Sequence, residues 1–123
     1  MILKLIYYGD PLLRKKAAWV PKVTSEIKQL AKDMIETMLD AKDGVGLAAP
    51  QVGHSLAMFV LQFPDPVSDE RWIPGAIEVF INPKILTQSE DLIVASEGCL
   101  SIPHIFERVA RPDKVTVEAM NLN

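Results

Sequence analysis

The stretch TSEIKQLAKDMIETMLDAKDGVGLAAPQ, residues 24–51, decides the fold class because it sets one long amphipathic segment directly before a glycine-containing loop. Apolar residues recur there at steps of three and four, which predicts a helix with a single apolar stripe. The stripe consists of Ile27, Leu30, Ala31, Met34, Ile35, Met38 and Leu39. Thr24 or Ser25 can cap the start of this helix, and we expect Gly44 to end it in a left-handed cap.

The rest of the chain is predicted to be strands and loops. Strands are predicted over residues 56–62, 77–82, 92–96 and 115–119, the last of them half-buried because apolar and polar residues alternate. The segment 63–75 contains three prolines and is predicted to be a loop. One helix followed by several strands is typical of an α+β domain. A length of 123 residues fits a single domain, residues 1–123.

Composition and charge exclude several classes of protein. The chain is 49% hydrophobic and 24% charged, which is typical of a globular protein rather than a disordered one. A net charge of −3 leaves no basic footprint for nucleic acid and no polybasic patch for a membrane. The longest apolar run, residues 56–61, is too short to span a bilayer. No secretory signal is evident at the N-terminus, so the cytoplasm is the expected location.

The first candidate motif is Gly-Val-Gly-Leu-Ala-Ala-Pro-Gln at residues 44–51. Its letters fit a dinucleotide fingerprint, but that fingerprint follows a strand and opens a helix, whereas this motif closes a helix. Nucleotide binding is therefore rejected. A structural turn explains the glycines, while small residues also let a backbone approach a ligand closely. Gln51 adds a side-chain amide that can donate to an oxyanion.

The second candidate motif is Glu-Gly-Cys-Leu-Ser at residues 97–101, which contains the only cysteine, Cys99. A single cysteine excludes an intramolecular disulfide and is often a small buried hydrophobic residue. Its position between Gly98 and a proline-bounded turn also suits a metal ligand or a nucleophile. Two weaker hypotheses stay open: a zinc or iron site made by Cys99, His54 and His104, and a Cys/His hydrolase that uses one of the histidines.

Together the two motifs resemble peptide deformylase. The family's first motif, Gly-x-Gly-Leu-Ala-Ala-x-Gln, fits residues 44–51, and its second, Glu-Gly-Cys-Leu-Ser, is identical to residues 97–101. Residues 8–14, Tyr-Gly-Asp-Pro-Leu-Leu-Arg, are similar to the family's N-terminal segment. The resemblance covers essentially the whole chain. It implies an α+β fold with one long N-terminal helix and antiparallel or mixed β-sheets.

The resemblance also implies a hydrolase of protein biosynthesis that removes the formyl group from N-terminal formylmethionine of nascent peptides, in the bacterial cytoplasm or an organelle. The implied cofactor is a divalent metal, Fe²⁺ first, with Zn²⁺, Ni²⁺ or Co²⁺ as substitutes. Cys99 would be the metal ligand. Catalytic positions would be the Gln51 amide, the Leu100 backbone N–H and Gly46. The implied substrate-binding residues are Gly44, Val45, Gly46 and Gly98.

The family's third motif, His-Glu-x-x-His on a helix, does not occur in the sequence. That motif supplies two further metal ligands and the glutamate that transfers protons. We therefore expect the chain to be a C-terminally incomplete deformylase domain without the catalytic helix, inactive by itself, and inclined to self-associate through exposed apolar surface. The alternative is a non-catalytic binding or assembly module derived from a deformylase.

Glu97 lies two residues before Cys99, and a carboxylate buried there without a partner would be costly. The sequence therefore motivates one further hypothesis, that Glu97 pairs with Arg111 and thereby holds the turn that carries Cys99.

Overall fold

The structure is a computed structural model, and it describes residues 1–41, 44–64 and 74–123. Within these ranges the chain forms one α-helix, α1 (Ser25–Asp40), and six strands. The strands are β1 (Gly46–Ala48), β2 (Met58–Pro64), β3 (Pro74–Gln88), β4 (Leu92–Cys99), β5 (Ile102–Pro112) and β6 (Val115–Met120). Short 3₁₀ turns occupy Pro11–Arg14 and Ala49–Val52. The predicted α+β class is confirmed.

The helix forms where the sequence predicts it. The Thr24 side chain accepts a hydrogen bond from the Ile27 N–H at 3.3 Å and so caps the first turn. The predicted glycine cap is wrong, because α1 ends at Asp40 with Ala41 in an extended conformation. Gly44 is not among the glycines with positive φ, and its role is close approach instead: a Cβ there would overlap the Met38 carbonyl oxygen.

Two antiparallel sheets follow from the strands. The larger has the order β1-β2-β3-β6, and the smaller is the β4–β5 hairpin. Strand β3 is long enough to serve two partners, since its first half pairs with β2 (Ile81 opposite Met58) and its second half with β6 (Ile85 opposite Val117). All four predicted strands exist, with shifted or extended bounds, while β1 and β5 were not predicted. The predicted loop over 63–75 overlaps strand ends at both sides, and residues 65–73 lie outside the described part.

The hydrophobic core lies entirely in the first two thirds of the chain, where α1 covers the sheet formed by β1, β2 and the start of β3. Its buried members are Val20, Leu30, Ala31, Met34, Met38, Leu47, Ala49, Val52, Met58, Val60 and Ile81. Among residues 83–123, all of which are described, Ser101 alone is buried. The prediction of a half-buried strand at 115–119 is therefore wrong: every residue of β6 is exposed, because no described layer covers that end of the sheet.

No helix in the described ranges combines the length and the apolar character needed to cross a membrane.

Candidate active site

A cavity of about 620 Å³ lies between the first motif and the β4–β5 hairpin. Val45, Gly46 and Gln51 line one side of it, and residues 96–100 and 102–106 line the other. The two motifs, which are far apart in the chain, therefore face one space. Of the site residues that the family resemblance implies, all but Gly44 line this cavity, and Gly44 is the chain neighbour of Val45, which does.

The side-chain amide of Gln51 is fixed in orientation by three hydrogen bonds. The Ala48 N–H donates to Gln51 Oε1 at 2.9 Å. On the other end of the amide, Nε2 donates to Ser101 Oγ at 3.2 Å and to Cys99 Sγ at 3.4 Å. A flipped amide would set its NH₂ group against the Ala48 N–H, so the donor end stays directed at the cavity.

Cys99 is exposed and is not a core residue. It ends β4, and the register between β4 and β5 shifts between Gly98 and Cys99. Such an irregularity bends the strand and redirects a side chain, and bulges of this kind are common beside active sites. The bend brings the thiol to the Gln51 amide, and Leu100 follows it in the wall of the cavity.

The aromatic ring of Phe106, on the facing strand, occupies the space that a side chain at Gly98 would need. A Cβ at residue 98 would lie 2.6 Å from Phe106 Cε1, so a side chain there would displace the ring. The two residues are opposite each other in the hairpin register, and Phe106 also lines the cavity. Phe106 was not predicted as a site residue. Its place in the site follows from its position opposite Gly98 in the β4–β5 hairpin, and that hairpin was not predicted from the sequence.

Glu97 and Arg111 form the predicted ion pair in a bidentate geometry. Arg111 Nε and Nη2 donate to the two carboxylate oxygens of Glu97 at 2.6 and 2.7 Å. The hydrogen bond from Arg111 holds the pKa of Glu97 below its ordinary value of 4.5, against an opposing effect of desolvation. The same contact raises the pKa of Arg111. Both side chains are substantially exposed, so solvent screens the pair.

Comparison with known proteins shows which family the chain belongs to. The family described as Polypeptide deformylase matches residues 2–123. This chain belongs to that family. The peptide deformylase of Pseudothermotoga lettingae is 46% identical over 121 residues, which are 98% of this chain and 64% of the relative. The chain thus spans less than two thirds of that relative's length.

Solved peptide deformylases also share the fold. The structure from Thermotoga maritima superimposes with a TM-score of 0.86 at 39% identity, covering 99% of this chain and 76% of that one. The Met-Ala-Ser-bound structure from Acinetobacter baumannii gives a TM-score of 0.88 at 32% identity, covering 99% of this chain and 78% of that one. The deformylase-like architecture expected from the resemblance is confirmed.

The deformylase family is metal-dependent, and the thiol of Cys99 is a suitable ligand for a divalent metal. The described residues contain no group of three or more His, Cys, Asp or Glu side chains that could hold a metal ion. The hypothesis of a site made by Cys99, His54 and His104 is therefore wrong. His104 lines the cavity, but His54 does not. A catalytic metal site usually takes three protein ligands, so the described residues do not fit a metal by themselves.

Ser101, which ends the second motif, and the N-terminal segment are further parts of the site, although the sequence predicted no role for either in it. Ser101 is 3% exposed, and its hydroxyl contacts the Gln51 amide. The Tyr8 N–H donates to the Ser101 carbonyl at 2.8 Å, and the Ile6 N–H donates to the Gln51 carbonyl at 2.7 Å. The N-terminal segment therefore bonds to both motifs.

Proposed function

We propose that this chain takes part in hydrolysing the N-formyl group from N-terminal formylmethionine of newly made proteins, with release of formate. The observation that carries the proposal is the Gln51 amide, which is fixed by Ala48 and directed at Cys99 in a cavity lined by both motifs. Membership of the deformylase family supports the same reaction.

Gln51 and Leu100 stabilise the charge that develops during hydrolysis. Attack on the formyl carbon converts the formyl oxygen into an oxyanion, and donors that are already in place stabilise it without reorganisation. The Gln51 Nε2 group is such a donor, and we assign the second to the backbone N–H of Leu100, which follows Cys99 in the cavity wall. Gly46 lines the same cavity as these donors and completes the proposed catalytic positions.

The peptide lies along the first motif. Strand β1 is an outer strand of its sheet, and its free edge can accept an extended peptide backbone. Gly44, Val45 and Gly46 border the peptide and its methionine side chain on this side, and Gly98 borders them on the hairpin side. The Met-Ala-Ser-bound relative from A. baumannii supports a methionyl peptide as the ligand.

Cys99 is the ligand that this chain supplies to a divalent metal, which we propose is Fe²⁺, with Zn²⁺, Ni²⁺ or Co²⁺ as substitutes. The described residues supply no complete ligand set, so the proposal requires further ligands and a proton-transferring group that these residues do not provide. No nucleic acid or membrane partner is proposed. The protein acts where formylmethionyl chains are made, in the bacterial cytoplasm or an organelle.

The test combines peptide binding with formate release. Purified protein is loaded with Ni²⁺ or Fe²⁺ and mixed with formyl-Met-Ala-Ser, with EDTA-treated protein and Gln51→Ala as controls. The proposal predicts that this chain binds the peptide. In a preparation that also supplies the remaining metal ligands, it predicts metal-dependent formate release, which Gln51→Ala reduces roughly 100-fold or more. Formate release that survives EDTA and stops on alkylation of Cys99 would instead identify a cysteine hydrolase.

The alternative function is a non-catalytic module that binds methionyl peptides or assists assembly. One observation favours it: the described residues provide no set of three side chains that could hold a metal ion. This alternative predicts binding of Met-Ala-Ser with no formate release under any metal loading. Absence of both binding and formate release would overturn both functions.

A further inference from the structure

We propose that Ser101 is a positioning residue, whose hydroxyl holds the Gln51 amide so that one Nε2 hydrogen remains directed at the reacting centre beside Cys99. The inference rests on the proposed function for its catalytic meaning, but its structural content can be tested separately.

The hydrogen bonds of Gln51 leave each of its polar hydrogens with a defined direction. The Ala48 N–H fixes which end of the amide carries the oxygen, at 2.9 Å. That bond alone permits the amide to swing about its oxygen. The bond from Nε2 to Ser101 Oγ, at 3.2 Å, stops the swing and consumes one hydrogen of the NH₂ group. The remaining hydrogen is directed at Cys99 Sγ, 3.4 Å from Nε2.

Ser101 is suited to this role because it is itself held. It is 3% exposed, so water does not compete easily for its hydroxyl. Its carbonyl accepts the Tyr8 N–H at 2.8 Å, and the Ile6 N–H on the same segment bonds to the Gln51 carbonyl. The donor and the group that orients it are therefore fastened to one stretch of backbone.

The hydrogen bond between Ser101 and Gln51 is important because it joins two parts of the molecule that differ in packing. Gln51 belongs to the part of the molecule with a hydrophobic core, and Cys99 belongs to a hairpin without one. Ser101 is the sole buried residue in 83–123, and its contact with Gln51, together with the packing of Leu100 on the core, holds the hairpin turn against the N-terminal part of the molecule. Losing the hydroxyl should disturb the amide more than the fold.

The test compares Ser101→Ala with Ser101→Thr, which keeps a hydroxyl, and with Ser55→Ala as a matched control. Ser55 Oγ is buried and has no hydrogen-bond partner among the described residues. The readout is the Gln51 side-chain NH₂ resonance in ¹⁵N-labelled protein, assigned by its disappearance in Gln51→Glu. Helix content and unfolding midpoint are measured for every variant.

We expect the Gln51 Nε2 protons of Ser101→Ala to shift and to exchange with solvent about 2- to 12-fold faster, the equivalent of one hydrogen bond. Ser101→Thr should restore slow exchange if the added methyl group is accommodated, and Ser55→Ala should leave the resonance unchanged. Where the metal-loaded protein releases formate, kcat of Ser101→Ala should fall by a similar factor with KM unchanged.

An unchanged Gln51 resonance in a folded Ser101→Ala variant would overturn the inference, whatever the enzymatic activity. A changed resonance in a protein that neither binds formyl-Met-Ala-Ser nor releases formate would uphold the positioning contact and reject the proposed function. If Ser101→Ala does not fold, the wild-type resonance decides, since solvent-averaged Nε2 protons there would contradict the contact.

Discussion

Apolar side chains occur in both residues 1–82 and residues 83–123, but the two regions differ in how many of these side chains they bury. We call the two regions the N-terminal region and the C-terminal region. Among the described residues, the first buries eleven hydrophobic side chains, four of them on α1, and the second buries none. Strand β3 crosses the boundary, and its Ile81 is fully buried while its Ile85 is 62% exposed. The difference shows that a strand gains a core only where a second layer covers it.

The site lies at the boundary of these regions. Gln51 stands on the N-terminal region, whose packing limits its movement, whereas Cys99 stands on a hairpin exposed on both faces. A two-stranded hairpin alone is marginally stable in water. The hydrogen bonds of Ser101 with Gln51 and Tyr8 are therefore important for holding the hairpin, and with it Cys99, next to Gln51.

The largest expected effect is on the free energy of unfolding, compared between one substitution in each region. Met34→Ala removes a fully buried side chain and should lower the free energy of unfolding by about 2–5 kcal/mol. Leu92→Ala removes a side chain that is 61% exposed and should change that free energy by less than about 0.5 kcal/mol. Urea denaturation followed by circular dichroism measures both. Equal losses would contradict the difference between the regions.

The exposed apolar residues of β4 and β5 should drive self-association at high protein concentration. Ile93, Val94, Ile105 and Phe106 are each at least half exposed, which is unusual for so many neighbours on a free surface. Val94→Asp should weaken association roughly tenfold or more, since burying one valine contributes about 1.5–3 kcal/mol. Sedimentation velocity over a concentration series tests this, with exposed Lys84→Asp as the charge control. A concentration-independent monomer would contradict it.

Gly98→Ala tests the contact between the hairpin strands at the cavity. The new methyl group meets the Phe106 ring, and the cost should be near the lower end of the 1–3 kcal/mol typical of overpacking, because the exposed ring can turn away. Adding Phe106→Ala should recover most of the loss. A thermodynamic cycle on the two substitutions measures the coupling, and additive effects would show that the ring and residue 98 do not touch.

The smallest effect is expected for Arg111→Ala, because the pair with Glu97 is exposed and screened. The variant should lose a little stability at low salt and neutral pH and match wild type at high salt. The more informative readout is the rate of Cys99 alkylation, which should rise if the pair holds the turn. Unchanged stability, alkylation rate and metal affinity would reject that role, which remains a prediction.

Local signals explain what could be predicted from the sequence. The periodicity of 27–39 and the cap at Thr24 depend on neighbours within one turn, so the start and the apolar stripe of α1 were predicted, whereas its end at Asp40 was not. The two motifs placed Gln51 and Cys99 in one site because their residue types are specific to the family. The Glu97–Arg111 pair was predicted from the cost of an unpaired carboxylate and is confirmed.

Tertiary context explains what could not be predicted. Strand β5 carries no clean alternation, because both its faces are exposed. The pattern of β6 resembles a half-buried strand, yet burial depends on a covering layer that periodicity does not reveal. The contact of Ser101 with Gln51 joins residues 50 positions apart, and only the fold brings them together.

A titration of ¹⁵N-labelled protein with Met-Ala-Ser tests whether the two motifs form one peptide site. If they do, the backbone resonances of Gly46 and Gly98, which line opposite sides of the cavity, shift together and yield the same Kd. Shifts confined to one motif, two different Kd values, or no shifts at millimolar peptide would contradict it.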